Sequence, residues 1–141
     1  MKIEYTVPRM DFSAAGKAST DMKRRLTQLG LDSAFVRRVA IAMYEAEMNV
    51  AIHGEGGRAE VQISSEMITA RFIDQGPGIE NIELAMQEGY STAPEEIRNL
   101  GFGAGMGLPN MKKNADELII RSEPKQGTLV EMRFRLSSGA A

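Results

Sequence analysis

The chain opens on alternation: Ile3, Tyr5 and Val7 are separated by Glu4 and Thr6, and Pro8 ends the run. A period of two predicts a first strand over Ile3–Val7. The period then lengthens. Asp11 or Ser13 can cap a helix running to about Leu29 and stopping at Gly30, with Met22, Leu26 and Leu29 on one face and Lys17, Lys23, Arg24 and Arg25 around the rest. Asp32 or Ser33 opens a second helix, from about Ala34 to Ile52. There Val39, Met43, Ala46 and Val50 follow the spacing i, i+4, i+7, i+11 of a core stripe, before Gly54-Glu55-Gly56-Gly57 breaks the chain.

Alternation returns at Val61 and Ile63 and again at Ile68, Ala70 and Phe72, predicting a hairpin that turns near Ser65-Glu66 and ends at Asp74-Gln75-Gly76-Pro77-Gly78. Residues 79–100 carry weak periodicity, with one short helix near Ile82–Glu88. A stretch of that kind serves as a lid, a binding loop or a disordered segment. After a glycine-rich run, Leu108 to about Ala115 reads as a helix with Pro109 in its first turn. Leu118–Arg121 and Thr128–Leu136 form a last hairpin around Pro124-Lys125-Gln126-Gly127. Its final strand puts Val130, Met132, Phe134 and Leu136 on one side and Glu131, Arg133 and Arg135 on the other. The sum is an α/β two-layer sandwich, a sheet with one polar face and helices on the other. It occupies residues 1–136 as one domain, followed by a tail at 137–141 with nothing to anchor it.

Composition narrows the chemistry. With 17 basic and 19 acidic residues in 141, the net charge of −2 gives no default attraction for nucleic acid. No apolar run approaches the ~20 residues of a membrane span, and the N-terminus lacks the apolar core of a signal peptide. The expectation is a soluble, cytoplasmic domain. The absence of cysteine excludes disulfides, thiolate metal sites and thiol catalysis, and His53, the only histidine, excludes a multi-histidine site. His53 reads as satisfying local hydrogen bonds. The ten methionines read chiefly as core fillers.

Three features remain for chemistry. Glu45 and Asn49 are four apart on the second helix, on a face turned about 200° from the core stripe. A carboxylate and an amide oxygen one turn apart suit a hard cation or a water to be deprotonated, and equally suit an ordinary exposed helix face. Asp74, before Gly76 and Gly78, is either a turn residue or a carboxylate fixed at a strand end to accept a ligand's amine hydrogen. Gly101, Gly103, Gly105 and Gly107 alternate ahead of a helix, as a linker would or as a phosphate cradle would. Neither the P-loop nor the dinucleotide fingerprint is present. Order and spacing decide among these.

That order is Glu45-x-x-x-Asn49, Asp74-x-Gly76-x-Gly78, a lid, Gly103-x-Gly105-x-Gly107, then Gly127-Thr128. It resembles the boxes of the ATPase superfamily shared by gyrase, the heat-shock chaperone, MutL and sensor histidine kinases. Within it, Glu45–Gly54, with its trailing His53-Gly54, and the lid segment Ser91-Thr92-Ala93-Pro94-Glu95 resemble the small serine-kinase anti-sigma factors. The resemblance covers nearly the whole chain. It implies a Bergerat-type ATPase fold with a mixed, mostly antiparallel sheet and helices on one face.

The resemblance also implies roles. Asn49 coordinates Mg²⁺ and Glu45 is the general base. Asp74 accepts the adenine amino group, helped through a water by Thr128, and Gly76 and Gly78 line the adenine pocket. Gly103, Gly105 and Gly107 wrap the phosphates of ATP, with Gly101 and Met106 in the same nucleotide-binding segment. The phosphoacceptor would be a serine of a STAS-domain anti-anti-sigma protein, whose phosphorylation frees the chain to hold a sigma factor. A homodimer through the outer sheet region follows by analogy only. One departure is Ala93, where these kinases often carry a basic residue; Arg98 is the nearby substitute. The competing function is a nucleotide-dependent binding switch that transfers no phosphate. Glu47, on the core side, reads as structural or partner-facing.

Overall fold

A computed structural model describes residues 1–9, 16–52, 56–76, 107–123 and 127–136. The elements in chain order are β1 (Lys2–Val7), α1 (Lys17–Gln28), α2 (Ser33–Ile52), β2 (Gly57–Ile63), β3 (Met67–Asp74), α3 (Gly107–Asn114), β4 (Glu117–Glu123) and β5 (Gly127–Arg135). The expected short helix near Ile82–Glu88 and the tail at 137–141 lie outside the described residues.

The five strands form one sheet in the order β1-β2-β3-β5-β4. Every described pairing is antiparallel, so the parallel component that a mixed sheet implies is not found among the described residues. Register explains the core. Ala59 lies opposite Phe72 and Phe72 opposite Val130; Val61 lies opposite Ala70 and Ala70 opposite Met132. All six are buried on the face that α2 covers. The odd–even alternation of a strand puts Glu60, Arg71, Glu131 and Arg133 on the other face.

The helices close the apolar side. Val39, Met43, Ala46 and Val50, the stripe read from the sequence, are all buried, as are Met22 and Leu26 of α1 and Met111 of α3. Leu29 is not. It caps the C-terminus of α1 and is 55% exposed, because the helix ends a residue earlier and Gly30, at φ 78°, turns the chain away. Met22, Met43, Met111 and Met132 are fully buried, which bears out their reading as core fillers. Phe72 and Phe134 are the largest buried side chains, and truncating either would cost about 3–5 kcal/mol.

The helix starts show two kinds of capping. Asp32 accepts the N–H groups of Ala34 (3.1 Å) and Phe35 (3.2 Å), so α2 is capped locally as the sequence suggested. The helix α1 begins at Lys17 with Gly16 as its cap residue, later than a cap at Asp11 or Ser13 would set it; those two residues lie outside the described ones. Its first N–H groups are satisfied from a distance. The Glu47 carboxylate of α2 accepts from Gly16 (3.0 Å), Ala18 (3.2 Å) and Ser19 (2.6 Å). Glu47 is therefore structural, and it ties α1 to the helix that carries Glu45 and Asn49.

Candidate functional site

The sheet's apolar face changes character at one end. The last row across it is Val7, Gly57, Asp74, Thr128 and Ser122, in register on β1, β2, β3, β5 and β4. One step inward the row is Tyr5, Ala59, Phe72, Val130 and Ile120. Polar side chains thus continue a face whose other positions form the core.

Asp74 is the centre of that row and only 8% exposed. Its Oδ1 accepts the backbone N–H of Gly76 (2.9 Å) and of Thr128 (3.2 Å). Those bonds fix the carboxylate's plane at the strand end. The Thr128 hydroxyl lies 3.1 Å from that of Ser122, so the neighbouring strand orients it. Gly127 makes the close approach possible. It sits at φ 97°, and a Cβ there would lie 2.2 Å from the Asp74 carbonyl oxygen. A residue with a side chain at 127 therefore meets both strain and a clash.

The second half of the site comes from α2 and α3. Glu45 and Asn49 lie on the α2 face that packs on α3, both half-buried. Gly107, the first residue of α3, meets Asn49 so closely that a Cβ would lie 3.0 Å from its Oδ1. One turn back along α2, Glu45 Oε1 accepts from Asn110 Nδ2 at 3.2 Å. After α2 the chain returns toward the Asp74 row: the Gly56 N–H bonds the Val50 carbonyl at 3.1 Å, and Gly57 pairs with Asp74. The Glu/Asn pair and the Asp74 row thus belong to the same end of the molecule.

The donor chemistry fits Mg²⁺ held mainly by its ligand. Asn49 offers an amide oxygen and Glu45 a carboxylate, both hard donors. Among the described residues there is no group of three or more His, Asp or Glu side chains that would hold an ion alone. Such an ion needs phosphate oxygens and water to fill its shell, as Mg²⁺ at a nucleotide does.

Glu47 is a buried carboxylate on the helix that carries Glu45 and Asn49. Burial pushes its carboxyl up from the ordinary range, and the three backbone hydrogen bonds from α1 oppose that rise.

Of the residues singled out in the sequence, Glu45, Asn49, Asp74, Gly76, Gly107 and Thr128 are described, and they fall into these two clusters. Gly78, Gly101, Gly103, Gly105 and Met106 lie outside the described residues, as do Ala93, Arg98 and His53. Sequence reasoning passed over Asn110 and Ser122. Asn110 stands three residues after Gly107, on the same α3 face, but only the pairing of α2 with α3 gives that spacing a meaning.

The fold is one already seen in solved structures. The chain superimposes with a TM-score of 0.65 on a crystal structure of the RsbU and RsbW domains of a Mycobacterium tuberculosis protein, at 17% identity, over 96% of this chain and 32% of that one. At that identity the likeness is one of fold, and this chain spans about a third of that solved chain. Residues 34–138 match the family described as histidine kinase-, DNA gyrase B-, and HSP90-like ATPase, and the chain belongs to that family. Its relatives there include the anti-sigma F factor of Thermoanaerobacter sp. (strain X514), 41% identical over 105 residues, which is 71% of this chain and 70% of that protein. The anti-sigma F factor of Clostridium novyi (strain NT) is 34% identical over 144 residues, 98% of this chain and 95% of that protein. Among the described residues no helix is long and apolar enough to cross a membrane.

Proposed function

We propose that the chain is an ATP-dependent protein serine/threonine kinase of anti-sigma type, acting in the cytoplasm on a STAS-domain anti-anti-sigma partner. The observation that carries this reading is Glu45 one turn from Asn49, with both side chains packed against the start of α3. The relatives named anti-sigma F factor support the regulatory setting.

The roles follow from the donors. The Asp74 row takes the adenine: the fixed carboxylate accepts the exocyclic amine, and Thr128 supplies a hydroxyl beside it. Asn49 would hold Mg²⁺, which would supply positive charge to neutralise the phosphates. Glu45 accepts the proton of the partner's serine hydroxyl as its oxygen bonds the γ-phosphorus. The bond from that phosphorus to the bridging oxygen breaks, and ADP leaves. Catalysis of this kind is mostly positioning and charge stabilisation, with the base contributing about 10²–10⁴-fold.

The experiment is a labelled-phosphate assay on a purified STAS-domain protein, run beside ATP titrations for the wild type and Glu45→Gln. The variant is expected to transfer at least 100-fold more slowly, about the least a lost general base costs, with ATP affinity within about twofold. Loss of binding and transfer together would remove Glu45 from the role of base. Tight ATP binding with no transfer by the wild type would leave a nucleotide-gated binding switch.

A further inference from the structure

We propose that Asn110 is a positioning residue for Glu45, which it holds from α3 so that one carboxylate oxygen is presented to the acceptor hydroxyl. This inference rests on the kinase reading above.

The helices α2 and α3 pack antiparallel, with three successive rungs. Gly107 meets Asn49, Asn110 meets Glu45, and the Asn114 carbonyl accepts from Arg38 Nε at 3.1 Å. The far end of α3 is anchored again through Asp116, whose Oδ1 accepts from Arg38 Nη2 (3.2 Å) and whose Oδ2 accepts the Arg135 N–H (2.6 Å). Inside α3, Asn114 Nδ2 donates to the Asn110 carbonyl at 2.8 Å. The helix is thus tied at both ends, and Asn110 projects from its middle onto Glu45.

An amide is a costly choice for that position. Leu108, Pro109 and Met111 around it are buried, and an apolar side chain would suit a helix–helix contact at no desolvation cost. A half-buried amide is offset only by the hydrogen bond it makes. Among the described residues the recorded partner of its side-chain amide is Glu45. The Nδ2 group can only donate, so it commits Oε1 and fixes the carboxylate's rotation, leaving Oε2 to face an incoming hydroxyl. A glutamate on one helix alone has several rotatable bonds. A second helix holding its head group removes that freedom before the substrate arrives.

The test is the split between turnover and nucleotide binding in Asn110→Leu, Asn110→Asp and Asn110→Gln, assayed on a STAS-domain acceptor. Asn110→Leu keeps the packing volume and removes the donor. Its kcat is expected to fall about 10- to 100-fold, the range that misplacing a reacting group produces, with ATP affinity within about twofold. Asn110→Asp sets a second carboxylate against Glu45 and is expected to lose at least as much, and it serves if the leucine variant fails to fold. Asn110→Gln keeps an amide donor and is expected to recover part of the loss. In a Glu45→Gln background, Asn110→Leu is expected to change kcat no further. Wild-type turnover in Asn110→Leu, a matching loss of ATP affinity, or an undiminished effect in the Glu45→Gln background would each overturn the inference. A wild-type chain that binds ATP and transfers nothing would instead overturn the kinase reading, and this inference would fall with it.

Discussion

In the proposed function, Asp74 is the residue that meets adenine. Two backbone N–H groups hold its Oδ1, and Gly127 behind it has no side chain to displace it. Asp74→Asn keeps an oxygen for those backbone donors and turns the remaining acceptor into a donor. The fold should survive, while ATP binding should weaken about 10- to 100-fold, the value of a charged hydrogen bond of roughly 1.5–3 kcal/mol. Calorimetric titration of both proteins with ATP checks this; unchanged affinity would place the adenine elsewhere. The aspartate was legible in the sequence because Asp74 closes an alternating run and Gly76 and Gly78 follow. Thr128 was legible beside it only through the resemblance, and Ser122 not at all: Thr128 meets Asp74, and Ser122 meets Thr128, through strand register, which between β3 and β5 spans more than fifty residues of chain.

At the scale of elements, the central fact is that α2 is clamped on both flanks. On one side Glu47 takes three N–H groups from the start of α1; on the other, Asn110 and Asn114 of α3 engage Glu45 and Arg38. Glu47→Leu strands those α1 donors, each worth about 1–3 kcal/mol when left unpaired, so a loss of roughly 3 kcal/mol or more is expected. Glu47→Gln keeps one acceptor oxygen and should lose less. Urea unfolding of the three proteins measures the difference, and equal stabilities would remove the cap. The α2 stripe was readable because it follows a helical period over twenty residues. The α1 start was not, because its N–H groups are capped from residue 47, whereas the local candidates Asp11 and Ser13 pointed to an earlier start. Leu29 was placed on the buried face by the same periodicity, which cannot register that Gly30 has already turned the chain.

For the whole molecule, the two faces of the sheet have different jobs. The inner face builds the core and, at one end, the Asp74 row. The outer face carries an ion-pair network: Glu131 binds Arg71 (2.5 Å) and Arg133 (2.6 Å), and Arg133 also reaches Glu117 (3.0 Å). Burial alone would raise the Glu131 carboxyl; the two guanidinium groups outweigh it and hold it below the ordinary range. A depressed carboxyl stabilises the fold above its unfolded pKa, and that contribution disappears as pH falls through the folded value. Glu47, raised by burial, works in the opposite sense: it favours the fold at low pH and loses that as pH rises. Glu131→Gln should therefore be less stable than the wild type at pH 7, by about 1 kcal/mol for a pair this exposed on its arginine side, with the gap narrowing on acidification. Melting curves across the carboxylate range test it, and a constant gap would contradict the linkage.

The architecture as a whole was legible because strands and helices alternate in period along the chain. The pairing β3 with β5, which places Thr128 beside Asp74, came only with the fold. The most direct measurement is to capture partners from a native lysate on this chain with Mg-ATP and take their intact masses. On the kinase reading, a small STAS-domain partner gains one phosphoryl group, and gains none when the bait is Glu45→Gln. A STAS-domain or sigma-factor partner retained with ATP bound and no change in mass would contradict it.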